Sequence, residues 1–386
     1  MLKKLLISLV IITLLIIVSA GVLLSRAQPI STLFFSPTYP NKPSLAPLPL
    51  AGDTTNTNQD IQVVADGLDI PWEIAFLPNG SILVTERPGK LLKIGSDKTV
   101  IPIKGVLHKG EGGLLGLALH PDFARNNLIY LYLTTQEGSA VTNRVERYRL
   151  QNTTVENRTI IIEDIPGSSN HDGGRIAFGP DKLLYITTGD AGSEPSAQDT
   201  NSLAGKILRL KDDGSIPEDN PFSNPVFSYG HRNPQGIAWN SKGELWATEH
   251  GRSGVATGFD EINLIEAGKN YGWPELQGDR TAAGMEAPKA HSGATTTWAP
   301  SGAVFYEGRL LFAGLRGQAL YDADIEGNNV KKVSVHFANE FGRLRTVTVG
   351  PDGMLYVLTN NTDGRGTPKT NDDKIIRLNP SLISSP

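Results

Sequence analysis

The chain of 386 residues carries 36 basic and 40 acidic side chains and contains no cysteine. Its net charge of -4 gives no electrostatic reason to expect a nucleic-acid partner. The lack of cysteine excludes disulfides, thiolate metal sites, a cysteine nucleophile and a lipid-modified cysteine. The 41 glycines and 25 prolines, which separate short runs of Val, Ile, Leu, Thr and Tyr, favour a β-structure with many turns.

Residues 1–27 are predicted to be a signal peptide or a membrane anchor. Lys3 and Lys4 precede an uncharged stretch from Leu5 to Leu24, which is long enough to cross a hydrocarbon layer of ~30 Å. We expect either cleavage near Ala27 or retention as a hydrophobic helix that ties the protein to the membrane. The basic flank implies that the amino terminus stays in the cytoplasm. The rest is expected to be extracytoplasmic, as a secreted, periplasmic or outer-face-anchored protein.

Residues 28–60 are predicted to form a linker. This stretch is rich in Pro, Thr and Asn and contains few residues that could enter an apolar core. Such a composition is typical of a semi-extended tether. The folded domain is therefore expected to span residues 61–380.

One pattern recurs six times within that domain: a strand, a turn containing Gly, Pro, Asp or Asn, and a second strand. The hairpins begin at Ile74, Leu117, Ile176, Ile237, Ala303 and Val347. A further short segment of alternating polarity follows each hairpin, at residues 91–94, 145–150, 206–210, 261–265, 319–325 and 374–378. We predict an all-β fold, a six-bladed β-propeller, with a β-sandwich as the alternative. A strand at Ile61 is expected to complete the last blade and so remove exposed sheet edges.

The best catalytic candidate is His171, which precedes the first strand of its hairpin. Asp190 follows the second strand, so the antiparallel return brings the two residues together. A carboxylate there would fix the imidazole tautomer and leave the other ring nitrogen to accept a proton, a contribution of ~10²–10⁴-fold. The alternative is that His171 only fixes its loop by hydrogen bonds. None of the seven histidines has the HExxH spacing, so a transition-metal site is not predicted.

Four arginines occupy corresponding positions near the ends of the blade strands. They are Arg232, Arg316, Arg343 and Arg345. Guanidinium groups that converge there would repel one another unless an anion lay among them, which predicts a polycarboxylate or phosphate ligand. The alternative is that each arginine pairs with a nearby Asp or Glu.

A second candidate ligand site lies in the glycine-rich segment that starts at Glu249. It combines Glu249, Asp260 and Glu261 with a turn whose carbonyl oxygens could face outward. Oxygen ligands suit a hard cation, so calcium is favoured over a transition metal, although the spacing is not that of an EF-hand.

From Ile61 to Leu378 the chain resembles the soluble pyrroloquinoline-quinone-dependent aldose sugar dehydrogenases, the glucose/sorbosone dehydrogenase family. The resemblance lies in the motifs PWEIAFLPNG, GEGGLLGLALHPDF, NHDGGRIAFGPD, AQDTNSLAGKILRL, SYGHRNPQG, EHG, DEINLIEAGKNYGWP, LRGQAL and GRLRTVTVGPDG. It implies a six-bladed propeller, in agreement with the repeat count.

The resemblance also implies a role for each matching residue. His171 corresponds to the general base that takes the proton of the anomeric hydroxyl, and Asp190 to the carboxylate that orients it. Arg232 and Asn233 correspond to the pair that contacts the quinone and polarises its reactive carbonyl.

Further positions correspond to cofactor and metal ligands. Arg343 and Arg345 resemble the arginines that hold the cofactor carboxylates. The carbonyls of Gly251 and Arg252 resemble ligands of a calcium ion that also binds pyrroloquinoline quinone (PQQ), where the ion would act as a Lewis acid.

Two cofactor-binding positions depart from the family pattern. Arg316 stands where a lysine is usual, which changes reach and geometry. Glu111 stands where the glucose enzyme has an amide, and an acid beside an anionic cofactor is unfavourable unless it is protonated or paired, for which Lys109 is the expected partner.

The expected function is that of an exported quinoprotein. It would oxidise the C1 hydroxyl of aldose sugars to lactones and pass electrons to an external acceptor, a quinone or redox protein. Two alternatives stay open: a non-enzymatic tethered propeller that binds a glycan or a protein partner, and a calcium-dependent lactonase-type hydrolase.

Overall fold

The computed structural model describes residues 60–252 and 258–383. The predicted N-terminal helix and the linker up to residue 59 lie outside the described residues. Within the described part, no helix is both long enough and apolar enough to span a membrane.

The described residues form six four-stranded antiparallel sheets, each of which is one blade. The first strand is β1 (Ile61–Ala65). Blade 1 comprises β2 (Pro71–Phe76), β3 (Ile82–Glu86), β4 (Lys90–Ile94) and β5 (Lys98–Pro102). Blade 2 comprises β6 (Leu114–Leu119), β7 (Leu128–Glu137), β8 (Ala140–Leu150) and β9 (Val155–Pro166). Blade 3 comprises β10 (Ile176–Phe178), β11 (Leu184–Thr188), β12 (Lys206–Leu210) and β13 (Val226–Tyr229).

The second half of the chain repeats this arrangement. Blade 4 comprises β14 (Pro234–Trp239), β15 (Leu245–Glu249), β16 (Glu261–Ile265) and β17 (Ala290–His291). Blade 5 comprises β18 (Pro300–Tyr306), β19 (Arg309–Gly314), β20 (Ala319–Glu326) and β21 (Asn329–His336). Blade 6 contains β22 (Leu344–Val349), β23 (Leu355–Thr359) and β24 (Ile375–Leu378). Short helical turns lie at α1 (Phe123–Asn126) and at the 3-10 segments Glu194–Ala197 and Pro380–Ile383.

Strand β1 completes blade 6 as its outermost strand. It pairs antiparallel with β24, with Ile61 opposite Leu378 and Val63 opposite Ile376. The start and the end of the domain therefore share one sheet, which closes the ring. The prediction of a closed six-bladed propeller is confirmed, and the sandwich alternative is wrong.

Two of the hairpin turns show why glycine recurs in the repeat. In the turn between β2 and β3, Gly80 has φ +83° and donates its N–H to the carbonyl of Leu77. Gly353 has φ +75° and makes the same bond to Gly350 in the last blade. Both positions lie in the left-handed region, where glycine avoids the steric cost of a Cβ.

The apolar core lies between the blades. Successive residues of a strand point to opposite faces of its sheet. Two adjacent residues in the second strand of a blade therefore pack on the two blades that flank it. Six apolar clusters result, one for each pair of neighbouring blades. Facing members are Leu83 and Leu131, Tyr132 and Ile186, Ile207 and Ala247, Trp246 and Phe312, Leu311 and Val357, and Leu358 and Val84. Burial of each large apolar side chain is worth about 1.5–3 kcal/mol, so the six interfaces stabilise the ring.

The topology also defines a functional face. The inner strands, β2, β6, β10, β14, β18 and β22, run in the same direction. Residues that precede an inner strand and residues that follow a second strand therefore meet at one end of the ring. Polar side chains of several blades are buried at this end, and they form the site described next.

Candidate active site

His171 and Asp190 form a hydrogen-bonded pair at the start of blade 3. The distance between His171 Nδ1 and Asp190 Oδ1 is 2.7 Å. The aspartate side chain is fully buried and the histidine side chain is 12% exposed, so only the imidazole can be reached from solvent. Because Nδ1 faces the carboxylate, Nε2 is the ring nitrogen that can accept a proton from a substrate.

Asp190 is held in place at both oxygens. Oδ1 also accepts the N–H of Gly192 (2.8 Å), and Oδ2 accepts the indole N–H of Trp273 (2.9 Å). Burial alone would raise the pKa of Asp190, but the hydrogen bonds from His171, Gly192 and Trp273 outweigh it and hold that pKa below its ordinary value. The carboxylate is thus ionised and fixed beneath the imidazole.

Arg232 joins the same group of residues through Trp273. Its guanidinium carbon lies 5.3 Å from the centroid of the Trp273 ring, within the range of a cation–π contact. The carbonyl of Arg232 accepts the N–H of Asp190 at 2.8 Å. His171, Asp190 and Arg232 therefore lie together, and Trp273 is a contact that sequence reasoning missed.

The segment from Arg232 to Asn233 is oriented by the buried carboxylate of Glu249. Oε1 of Glu249 accepts the backbone N–H groups of both residues, and Oε2 faces Nδ1 of His231 at 2.9 Å. The side-chain oxygen of Asn233 accepts the N–H of Gly173 at 3.0 Å. Glu249 thus serves as a structural acceptor that sets the direction of Arg232 and Asn233.

Arg343 and Arg345 are buried on blade 6 and differ in their partners. Arg343 pairs with Asp363 at 3.0 Å. Arg345 contacts neutral groups instead: Gln235 at 2.7 Å and Asn360 at 3.2 Å. Burial, together with the charge of nearby arginines, lowers the pKa of Arg345 well below its ordinary value. Local pairing with a carboxylate therefore accounts for Arg343 but not for Arg345.

Two further arginines belong to the cluster and were not identified from the sequence. Arg87, which follows β3, is fully buried and donates to the carbonyl of Gly110. Burial and the charge of Arg365 lower the pKa of Arg87 to about 10. Arg365 pairs with Asp363 at 2.9 Å. We use the name arginine cup for Arg87, Arg343, Arg345 and Arg365.

Glu111 lies beside the arginine cup and is ionised. Burial opposes this, but Arg365 and His171 hold the pKa of Glu111 well below its ordinary value. Its ion-pair partner is Arg365 at 2.6 Å, so the expectation that Lys109 pairs with it is wrong. Lys109 is exposed. Glu111 and Asp363 are thus the carboxylates that form ion pairs with arginines of the cup.

Arg316 lies at the same end of the ring, in the turn after β19, but its side chain is exposed. Arg316 takes no part in these hydrogen bonds and ion pairs of the buried cup arginines. The structure therefore does not bring all four arginines that the sequence singled out into one buried group.

The segment predicted to bind calcium is described only in part, because residues 253–257 lie outside the described residues. The N–H of Gly251 donates to Asp260 at 2.8 Å. The carbonyl of Arg252 accepts the N–H of Gly258 at 3.3 Å, which leaves one lone pair for another partner. Within the described residues no group of three or more His, Asp or Glu side chains could hold a metal.

Comparison with known proteins places this geometry in context. A family model described as Glucose / Sorbosone dehydrogenase matches residues 68–376. Aldose sugar dehydrogenase YliI of Escherichia coli (strain K12) is 34% identical over 341 residues, which cover 79% of this chain and 91% of that protein. Quinoprotein glucose dehydrogenase B of Acinetobacter calcoaceticus is 35% identical over 265 residues, or 59% of this chain and 55% of that protein.

A solved structure of a similar protein also matches the chain. The PQQ-bound form of aldose sugar dehydrogenase from Streptomyces coelicolor is 40% identical, with a TM-score of 0.77. The match covers 82% of this chain and 97% of that one.

Proposed function

The chain belongs to the glucose/sorbosone dehydrogenase family, and from that membership we propose that it is a PQQ-dependent aldose dehydrogenase. Its substrates would be aldose sugars, oxidised at the C1 hydroxyl to lactones. The observation that carries the proposal is the pairing of His171 with Asp190 at 2.7 Å beside a buried cluster of arginines.

The arginine cup fits a polycarboxylate quinone. Of its four guanidinium groups, those of Arg343 and Arg365 pair with Asp363 and Glu111, whereas Arg87 and Arg345 donate to neutral groups. An anionic ligand would supply the acceptors that these two lack. Buried donors also lack a partner among the described residues: Nε of Arg345, Nε and Nη1 of Arg87, and the side-chain amides of Asn233 and Asn360. Burial without a partner costs about 1–3 kcal/mol for each donor, so a ligand with several acceptors would be favoured.

The protein residues divide the chemistry between them. Nε2 of His171 would take the proton of the C1 hydroxyl, while Asp190 stabilises the resulting imidazolium. A bound quinone would supply the acceptor for the hydride of C1, so that, with the proton taken by His171, the sugar would lose two electrons and two hydrogens and become the lactone. Arg232, stacked on Trp273 and fixed through Glu249, would face the developing negative charge.

Calcium is proposed as a second cofactor. The carbonyl oxygens of Gly251 and Arg252 are hard ligands of the kind that Ca²⁺ prefers. An ion there would supply Lewis-acid polarisation of an oxygen on the bound cofactor.

An extracytoplasmic location and an external electron acceptor are further parts of the proposal. The uncharged stretch near the amino terminus supports an extracytoplasmic location, with membrane attachment if that stretch is retained. Electrons would leave to an external acceptor, a quinone or a redox protein.

Reconstitution of the purified full-length protein tests the proposal. Quinone and calcium should raise the unfolding temperature, because a ligand at 100 times its dissociation constant adds about 2.7 kcal/mol. The loaded protein should then reduce an artificial dye in the presence of aldoses. His171→Ala should abolish dye reduction, whereas His120→Ala should not, since His120 forms its His–Asp pair with Asp212 at the opposite end of the ring.

The alternatives give different results. Absence of any quinone-induced stabilisation would favour a non-enzymatic binding propeller. Hydrolysis of lactones in the absence of quinone would favour the hydrolase. Either result would overturn the dehydrogenase proposal.

A further inference from the structure

Glu111 makes two contacts that lead away from the arginine cup and toward the proposed base. It lies in the loop before β6, where its backbone N–H donates to the carbonyl of Ser169 at 2.9 Å. One oxygen of its side chain, Oε2, accepts the backbone N–H of His171 at 3.1 Å. The loop that carries His171 is therefore clamped at two points by a single residue from the neighbouring blade.

The other oxygen of Glu111 is held from blade 6. Oε1 accepts from Nη1 of Arg365 at 2.6 Å. Arg365 in turn donates to Asp363 through Nε (3.1 Å) and Nη2 (2.9 Å), and Asp363 also accepts from Arg343. A continuous chain of charged hydrogen bonds thus runs from blade 6 across the mouth of the ring to the backbone of His171.

His171 needs such support because its backbone is strained. Its φ of +58° lies in the left-handed region, which a residue with a Cβ occupies at a cost. Conformations of this kind persist only where surrounding contacts determine them. Three contacts do so here: Glu111 at the N–H, Ala191 at the carbonyl (3.3 Å) and Asp190 at Nδ1.

The chemistry of position 111 calls for a carboxylate. Two donors face the side chain, the N–H of His171 and the guanidinium of Arg365, and a carboxylate accepts from both. An amide has one acceptor oxygen, so its NH₂ group would be set against one of the two donors. The charge of Arg365 holds the pKa of Glu111 below its ordinary value despite burial, which agrees with this requirement. The glutamate at 111 and the arginine at 365 therefore form one unit.

We propose that Glu111 is a positioning residue for His171, that Arg365 anchors it, and that Glu111 is not a ligand of the quinone. The part of this inference that concerns catalysis rests on the proposed dehydrogenase function. The part that concerns the His171 loop does not, because the contacts exist in the protein without cofactor.

Hydrogen exchange of the cofactor-free protein tests the loop directly. In Glu111→Ala, peptides that cover Ser169 to Asp172 should exchange about tenfold or more faster than in the wild type, since the acceptor of the His171 N–H is gone. Arg365→Gln should show a smaller change in the same peptides. Asp352→Asn, which removes the surface pair with Arg377 (2.7 Å) at the opposite end, should leave them unaffected. Unchanged exchange in Glu111→Ala would overturn the proposal, whatever the enzyme does.

Kinetics separate positioning from cofactor binding. At saturating quinone, Glu111→Gln should lower kcat by about tenfold, while the quinone dissociation constant stays the same or falls because a negative charge leaves the site. If Glu111 were a cofactor ligand, the dissociation constant would rise and kcat at saturation would be retained. That result would overturn the proposal.

The double variant provides a rescue. Glu111→Gln with Arg365→Gln removes both charges together and lets two amides pair, so its kcat should exceed that of Glu111→Gln alone. Independent, additive losses would contradict the coupling. Should Glu111→Gln fail to fold, Arg365→Gln leaves Glu111 present but unanchored, and a fall in kcat that persists at saturating quinone is expected. A full kcat at saturating quinone would overturn the proposal.

Discussion

Trp273 donates its indole N–H to the carboxylate of Asp190 at 2.9 Å, although 83 residues separate them. This contact ties the pair of His171 and Asp190 to a loop of blade 4, and the same ring lies under Arg232. The proposed base and the proposed electrophilic arginine are therefore positioned by one aromatic side chain.

Trp273→Phe should lower kcat while the ring contact with Arg232 is kept. A hydrogen bond to a charged group contributes about 1.5–3 kcal/mol, so its loss should reduce kcat by roughly tenfold or more at saturating quinone. Steady-state assays of the reconstituted protein measure this effect. Trp239→Phe, in the inner strand of blade 4 and packed on Tyr185, serves as the aromatic control. Equal activity of Trp273→Phe and the wild type would show that the indole N–H does not contribute.

Asp190→Asn should have a larger effect. The amide can present an N–H to Nδ1 of His171, which favours the tautomer whose Nε2 carries the proton and cannot act as a base. We expect kcat to fall by ~10²–10⁴-fold with quinone affinity nearly unchanged. Titration of quinone by thermal shift, alongside dye reduction, distinguishes this result from loss of the whole site.

The repeat and the pair of His171 and Asp190 were predictable because both depend on short-range order. A hairpin returns the chain to its starting edge, so residues before its first strand and after its second must meet. The closure of blade 6 by the strand at Ile61 followed from the need to cover a sheet edge. The spacing of the repeats and the alternation of apolar and polar residues are sufficient for these predictions.

The cross-blade contacts were not predictable in the same way. Glu111 and Arg365 are 254 positions apart, and both lie in irregular loops with no periodic pattern. The sequence pointed to Lys109 for Glu111 because it was the nearest cation along the chain. Loop contacts depend on how the blades face one another around the ring. A short stretch of sequence does not determine that arrangement.

Removal of β1 should destabilise the ring. A chain that begins after Ala65 loses the ladder that pairs Ile61 with Leu378 and Val63 with Ile376, and it exposes β24 as an edge. Each ladder hydrogen bond is worth about 0.5–1.5 kcal/mol, and the free edge favours association between molecules. Urea unfolding and light scattering should show a lower midpoint and more self-association. A chain that begins at residue 60 is the matched control, and equal stability of the two would contradict the closure role.

The pairing of Asp363 predicts a pH dependence of stability. Arg343 and Arg365 outweigh burial and hold the pKa of Asp363 well below the ordinary value of about 3.9. The unfolded chain therefore takes up a proton near pH 4 that the folded protein does not. The contribution of Asp363 is fully present above about pH 5 and is lost as the pH falls through 4 and below.

Asp363→Asn tests this dependence. Breaking a buried pair at one partner should cost about 3–5 kcal/mol at pH 7. The difference in unfolding free energy from the wild type should shrink between about pH 5 and pH 2, measured by urea unfolding at several pH values. A difference that stays constant over this range would contradict the ionised state of Asp363 in the folded protein.

Gly189, which directly precedes Asp190, should not tolerate a side chain. A Cβ at this position would lie 1.8 Å from the carbonyl oxygen of His171, where real contacts stay above 3.0 Å, and the clashing atom is backbone that cannot rotate away. Gly189→Ala must therefore displace His171 or Asp190, and we expect kcat to fall at least 100-fold even in protein that still folds and binds quinone. Gly353→Ala is the control, since nothing lies within 4 Å of its added Cβ and its φ of +75° should cost only about 1–2 kcal/mol of stability. Full activity of Gly189→Ala would mean that the close approach of these two backbone segments is not needed to align the imidazole with its carboxylate.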